Sequence, residues 1–267
     1  MTGESVGRYL QQCRQQRGVA LTALATRVCP LDVLAAIEQG QRSPSVAQLT
    51  QLYQQLGIVR NRPLPQSYPI RRLPVFDRRL QSWWQKQAYG QLVANVAAGD
   101  VLRQLTTDTD RQAILYYYGR SLAAIGDVEA AQLHLRAGLM FMTPQSPQVY
   151  RSLDLLLLAA ENSVRDLTTP EPDLSGFDRA VTVIREGRVR DAPENLTLVF
   201  YQYAQAQLNL NRPQAAITLL REAIAWDVQH QTTYLLPDCY LLLALALKMT
   251  QPERAAFFHL ADQPEKF

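Results

Sequence analysis

Along most of the chain apolar residues recur every three or four positions, the period of helices that bury one face. Val6, Leu10, Cys13 and Arg17 keep that spacing and Gly18 follows as a stop, which predicts a first helix over residues 6–17. A second is expected over 21–28. Cys29 and Pro30 then interrupt the pattern as a tight turn does, and a third helix is expected over 31–39 with Gly40 placed to end it. Ser43 or Ser45 can cap a fourth helix, which carries Val46, Leu49, Leu52, Tyr53 and Leu56 on one face and closes at Gly57.

The pattern changes over residues 59–80. Pro63, Pro65, Pro69 and Pro74 favour an extended backbone, and Arg60, Arg62, Arg71, Arg72, Arg78 and Arg79 face one acid, Asp77. This predicts a basic linker between a domain at 1–58 and another at 81–267. Such a strand can follow a phosphate backbone or enter a narrow minor groove. Equally, it can be a tether whose arginines pair with the acidic remainder of the chain.

Beyond residue 80 strand alternation is absent and amphipathic helical segments follow one another. Tyr118-Gly119 precedes Ala131 by the same interval that separates Tyr203-Ala204 from Ala216, and Leu243-Ala244 from Ala256. A small residue in one helix and an alanine in the next at fixed spacing is the mark of stacked helix pairs. Looser pairs are expected at 79–107 and 149–188, giving roughly five pairs.

Charge separates the two parts. The net charge is +3 overall, but Met1–Lys86 has 12 basic against 4 acidic residues, or +8, and Gln87–Phe267 has 15 against 20, or −5. Positive charge gathered at one end suits a polyanion, because neutralising phosphates releases counterions.

Other functions find less support. The most apolar stretches, 153–160 and 241–247, are far shorter than the roughly 20 residues that cross a bilayer. The first residues lack the apolar core and cleavage site of a secretory signal, so a cytoplasmic protein is expected. Cys13, Cys29 and Cys239 have neither CxxC nor His-flanked spacing and read as buried thiols. His134, His230 and His259 lack metal-ligand spacing, and neither GxSxG nor a glycine-rich phosphate loop occurs. No enzyme activity, metal or cofactor is expected. Trp83 and Trp84 read as interdomain or dimer core rather than as a ligand cage.

Two strings carry a family resemblance. RQQRGVALTALA, Arg14 to Ala25, and IEQGQRSPSVAQLTQLYQQLGI, Ile37 to Ile58, resemble the lambda-repressor-like (XRE) helix-turn-helix. The first matches the R-x-x-x-G lead into helix 2 and the second the I-E-x-G-x-R-x-P-S run after the recognition helix. The resemblance implies an ion pair between Arg14 and Glu38. It departs from the pattern at Leu21, where a phosphate-binding glutamine is usual, and at the Cys29-Pro30 turn, which is one residue short. It places Leu31, Asp32, Val33 and Ala36 towards bases, and none of these makes the bidentate bonds by which Arg, Asn and Gln read base pairs. Arg27, Arg42, Ser43, Arg60 and Arg62 complete the implied DNA-binding set.

The later spacings resemble tetratricopeptide (TPR) helix pairs. A concave face would be lined by the first helix of each pair, with Tyr116, Arg120, Glu161, Asn162, Tyr201, Gln205, Asn209 and Lys248 as the implied peptide-binding residues. The expected fold is therefore all-α, an N-terminal helix-turn-helix followed by a TPR-like solenoid. Together the two parts resemble the peptide-pheromone-responsive transcription regulators of the Rgg and PlcR group. That resemblance implies a homodimer that binds DNA and a short peptide. A protein-interaction adaptor that does not read DNA is the alternative.

Overall fold

The computed structural model describes residues 3–58, 68–98, 101–142, 149–165, 173–191 and 193–250. They form an all-α fold of fourteen α-helices among the described residues, with a short 3-10 turn at Pro193–Asn195 and one isolated parallel bridge between Tyr150 and Val189. The chain divides into two compact units, one made of Met1–Asn61 with Gln207–Phe267 and the other of Arg62–Ala206.

In the first unit, α1 (Gly3–Gln16), α2 (Leu21–Val28), α3 (Leu31–Glu38) and α4 (Val46–Gln55) follow the predicted spans closely. Leu10, Leu24, Leu34, Ile37, Leu49, Leu52 and Tyr53 make the core, all nearly without exposure. Ser45, not Ser43, caps α4. Its hydroxyl accepts from the Gln48 N–H at 3.2 Å while the Gln48 side chain accepts from the Ser45 N–H at 3.0 Å, a reciprocal capping box.

Two features fix how α1 meets α3. Arg14 donates to both oxygens of Glu38 at 2.7 Å, through Nε and Nη2, and its Nη1 reaches the Val19 carbonyl at 3.1 Å. Glu38 is 3% exposed, and its hydrogen bond holds the guanidinium pKa above its ordinary value. About two turns earlier, Gly7 sits so close to α3 that a Cβ there would lie 2.0 Å from the Ile37 carbonyl oxygen.

The C-terminal helices belong to this same unit. α13 (Pro213–Gln229) packs along α14 (Leu236–Thr250), and α14 packs on α4. Tyr240 of α14 meets Tyr9 of α1 with ring centroids 6.0 Å apart, and Tyr53 of α4 feels the charges of Asp238 and Cys239. Helix 236–250 thus shares a core with the helix-turn-helix, whereas the sequence spacing assigned it to a repeat domain over 81–267. The pattern showed an apolar face on this segment but not the element that covers it.

The second unit holds α5 (Pro74–Gln85), α6 (Tyr89–Ala98), α7 (Val101–Gln104), α8 (Asp108–Ala124), α9 (Val128–Leu139), α10 (Ser152–Arg165) and α11 (Ser175–Arg185). Successive helices pack in a stack, α5 on α6, α6 on α8, α8 on α9, α9 on α10 and α10 on α11. A final helix, α12 (Thr197–Asn209), begins here and ends in the first unit. The Gly119–Ala131 interval has the expected physical meaning. A Cβ on Gly119 would lie 2.6 Å from Leu135 Cγ, and Ala131 is fully buried.

The predicted linker over 59–80 is shorter than its composition suggested. Arg60 and Arg62 lie outside the described residues. Pro74 opens α5 rather than extending the chain, since its missing N–H is free to sit in a first helical turn. Arg78 and Arg79 are therefore helical. Ahead of α5 the backbone is pinned to the second unit, with the Arg71 and Arg72 N–H groups donating to the two oxygens of buried Asp110 at 3.0 and 3.2 Å. The Tyr68 N–H donates to Tyr117 Oη at 2.8 Å, and the Tyr68 hydroxyl bonds Ser152 Oγ at 2.8 Å.

Substituting Arg14→Ala leaves Glu38 buried without its cation and is expected to cost about 3–5 kcal/mol in denaturant unfolding. Gly7→Ala must separate α1 from α3, an overpacking loss of about 1–3 kcal/mol. Gly90→Ala, where an added Cβ meets nothing within 4 Å, is the control and should leave stability unchanged or slightly raised.

Candidate nucleic-acid interface and ligand face

The exposed surface of α3 is set by its two neighbours. Leu34 and Ile37 are driven into the core against α1 and α2, which leaves Leu31 46% exposed, Asp32 exposed, and Val33 and Ala36 half-buried. The two-residue turn before it is tight. Cys29 is extended and returns its N–H to the Ala25 carbonyl, and Pro30 takes the N-cap position of α3. The Cys29 thiol is partly exposed, unlike buried Cys13 and Cys239, which corrects the reading of all three as buried. Burial still raises its pKa, with the Arg42 charge pulling it down and Asp32 pushing it up.

Arg42 and Ser43 are exposed just past α3, where the Arg42 N–H closes on the Ala36 carbonyl at 3.1 Å. Arg27 is exposed at the end of α2 and donates to Gln55 Oε1 at 3.1 Å. Arg27, Leu31, Asp32, Arg42 and Ser43 thus all reach the surface of one unit, two cations flanking a helix that offers methyl groups and one carboxylate.

The residues expected on a peptide face separate. Tyr116 has no exposure, and its ring is covered edge-on by Tyr68 with centroids 6.3 Å apart. Asn162 is also fully buried. Its Nδ2 donates to the Asp173 carbonyl at 2.6 Å, and its Oδ1 accepts from the Phe177 N–H at 3.0 Å. Glu161 is buried and accepts from Arg136 Nε at 2.9 Å. These three hold the stack together and offer a passing ligand no surface. Helical spacing does not reveal the packing that buries them.

Arg120 and Tyr201 are half-buried and Gln205 is exposed, its Nε2 3.4 Å from Tyr201 Oη. Asn209 and Lys248 are exposed and belong to the unit that holds the helix-turn-helix. Sequence reasoning missed Tyr68 and Asp110. Lone polar residues at helix starts carry no signal until the segment that they receive is known.

Trp84 lies in the core of its own unit, its centroid 5.0 Å from Tyr117 and 5.7 Å from Tyr89, while Trp83 meets Phe76 at 6.3 Å. On another part of α8, Tyr118 contacts His134 edge-on at 4.7 Å. Both line a cavity of about 150 Å³ with Val96, Ala97, Val101 and Leu102. Burial lowers the His134 pKa, and Asp127 opposes it. Among the described residues no helix is long and apolar enough to cross a membrane.

No family model matches the sequence, and no curated protein matches it. Among solved structures the chain is similar to the crystal structure of Bacillus thuringiensis PlcR in complex with the peptide PapR7 and DNA. The TM-score is 0.52 with 16% sequence identity, over 95% of this chain and 90% of that chain. At that identity the likeness is one of fold, and it runs through both the helix-turn-helix and the repeats.

The His134 environment gives a pH test. A lowered imidazole pKa means that the unfolded chain takes up the proton first, so stability is full above the ordinary histidine value and is lost as the pH falls through it. Melting temperature should therefore rise between about pH 5 and pH 7.5. The His134→Phe variant should show a flatter dependence over that window.

Proposed function

We propose that this protein is a cytoplasmic, homodimeric DNA-binding transcription regulator whose DNA binding is controlled by a short peptide held on its helical repeats. The observation that carries the reading is the exposed α3 surface between Arg27 and Arg42 on a helix-turn-helix scaffold. It stands in a chain that shares its fold nearly end to end with a protein crystallised with both a peptide and DNA.

In this reading Arg27, Arg42 and Ser43 hold phosphates, joined by Arg60 and Arg62, and supply affinity without regard to sequence. Leu31, Val33 and Ala36 meet thymine methyls. Asp32 is repelled by phosphate and can only accept, which suits a cytosine amino group. Direct reading is thin, so half-site spacing in a dimer and the shape of the duplex supply the rest of the specificity. On the repeats, Arg120, Tyr201 and Gln205 remain accessible to a peptide in the second unit, and Asn209 and Lys248 in the first. A peptide that prefers one arrangement of the DNA-binding helices shifts the population towards it. A non-enzymatic adaptor is the second reading, favoured by the absence of any bidentate hydrogen-bonding side chain at the base-facing positions.

Mobility shifts over a salt series, with DNA from upstream of the protein's own gene, separate the two. Binding is expected to weaken on a log–log plot by about 0.9 for each phosphate neutralised. The Arg27→Ala, Arg42→Ala double variant should lower that slope by about 2 while keeping the fold. A shift that is absent, or that ignores salt, overturns DNA binding and leaves the adaptor.

A further inference from the structure

Four helices of the second unit surround a cavity of about 150 Å³, lined by Val96 and Ala97 of α6, Val101 and Leu102 of α7, Tyr118 of α8 and His134 of α9. Its lining is graded from inside to outside. Val96 and Val101 are each 4% exposed and Tyr118 is buried, whereas Leu102 and His134 are half-buried and Ala97 is exposed. The valines give an apolar floor and the last three side chains a mouth. Protein interiors pack like organic crystals and leave few spaces larger than a water molecule, so a space of this size is uncommon. Water suits it poorly, because a buried water needs about two to four polar partners and four of the six lining side chains are aliphatic.

The polar groups of the lining come together on α8 and α9. The Tyr118 ring stands edge-on to the His134 imidazole with centroids 4.7 Å apart, and neither side chain has a hydrogen bond among the described residues. Burial lowers the His134 pKa, so above about pH 7 the imidazole is neutral and offers one N–H and one acceptor nitrogen. Burial also raises the Tyr118 pKa, which keeps its hydroxyl protonated and able to donate. The charge of Asp127 acts on both groups. A negative field therefore reaches the only polar part of the lining, and an anion is disfavoured there.

Size and lining together define a ligand. An apolar cavity of about 150 Å³ holds one benzene ring, and the edges and faces of Tyr118 and His134 suit an aromatic neighbour. To bond both polar groups the ligand needs one uncharged group that donates to the imidazole nitrogen and accepts from the Tyr118 hydroxyl, and a phenolic hydroxyl does both. We propose that the cavity between α6, α7, α8 and α9 is a binding site for a small neutral phenol, its ring against Val96 and Val101 and its hydroxyl at Tyr118 and His134. None of these residues belongs to the sets assigned above to DNA or peptide, so the site goes beyond the regulator reading and does not rest on it.

The test uses the full chain at about pH 7.5, where the imidazole is neutral, and three probes, phenol, toluene and benzoate. With three histidines in the sequence, ring carbon-13 NMR gives few signals, and His134→Phe identifies that of His134. Phenol should move this signal saturably, with a dissociation constant of about 1 mM or tighter, and leave those of His230 and His259 in place. Benzoate, of similar size but charged, should leave the His134 signal still. Toluene keeps the ring and loses the hydroxyl, and so reports the apolar part of the site alone.

Tyr118→Phe should lower the affinity for phenol relative to toluene about fivefold, as one hydrogen bond is lost. Ala97→Phe, at the exposed mouth, should block entry with little change in melting temperature, and Val96→Phe should fill the floor. A His134 signal that stays still with phenol up to its solubility limit, that moves without saturating, or that moves together with both other histidines overturns the site. So does a response that survives in both Ala97→Phe and Val96→Phe. Benzoate acting as strongly as phenol, or a phenol-to-toluene ratio unchanged in Tyr118→Phe, overturns the assignment to a neutral phenol.

Discussion

Helices in both units come closer than a Cβ allows, and the remaining architecture follows from that. Gly7 lies on the carbonyls of α3, Gly119 on Leu135 of α9, and Gly176 beside the amide of Asn162. Each contact draws two backbones together and sets the height at which neighbouring side chains meet. On α1 this proximity brings Arg14 to Glu38 with both oxygens in reach. On α8 it brings Leu135 and Ala131 into full burial. A bulkier residue at any of these sites would have to displace backbone or a well-packed neighbour, in an interior with little room to give.

Polar side chains near helix ends do the complementary work. Asp110 receives two consecutive backbone N–H groups from the segment ahead of α5, and Asp154 accepts from buried Gln112 at 2.7 Å and from the Arg151 N–H at 2.9 Å. Asn162 serves α11 in the same way. These groups are buried and bonded, so they fix which chain segment meets which helix end without leaving a charge or amide unmatched. They also explain why residues that looked available for a ligand are already engaged.

Much of this was legible in the sequence, and the exceptions share a cause. The four N-terminal helices, the Arg14–Glu38 pair and the Gly119–Ala131 approach follow from periodicity, family strings and spacing, all local signals. Tyr116, Glu161 and Asn162 are expected on an open helical face but are buried, because whether a face is open depends on what packs over it. Tyr68 covers Tyr116 from 48 residues upstream, and nothing in the run of prolines and arginines announces that tyrosine. Pro74 was read as extending the chain because proline breaks helices in their interior, whereas at a first turn it starts one. The C-terminal helices were assigned by repeat spacing alone, while long-range burial decides their place against α4.

The position of α14 also bears on how the protein is made. Tyr9 and Tyr53 leave a ribosome well before Tyr240 and its neighbours, which pack against them. At synthesis rates of about 5–20 residues per second, the N-terminal helices wait roughly 10–40 seconds for that cover. During this interval a nascent chain presents an apolar tyrosine-bearing surface that the finished one does not. A chain stopped early keeps it permanently, so incomplete products carry a visible mark for chaperones and proteases before they can compete for the partners of the complete protein.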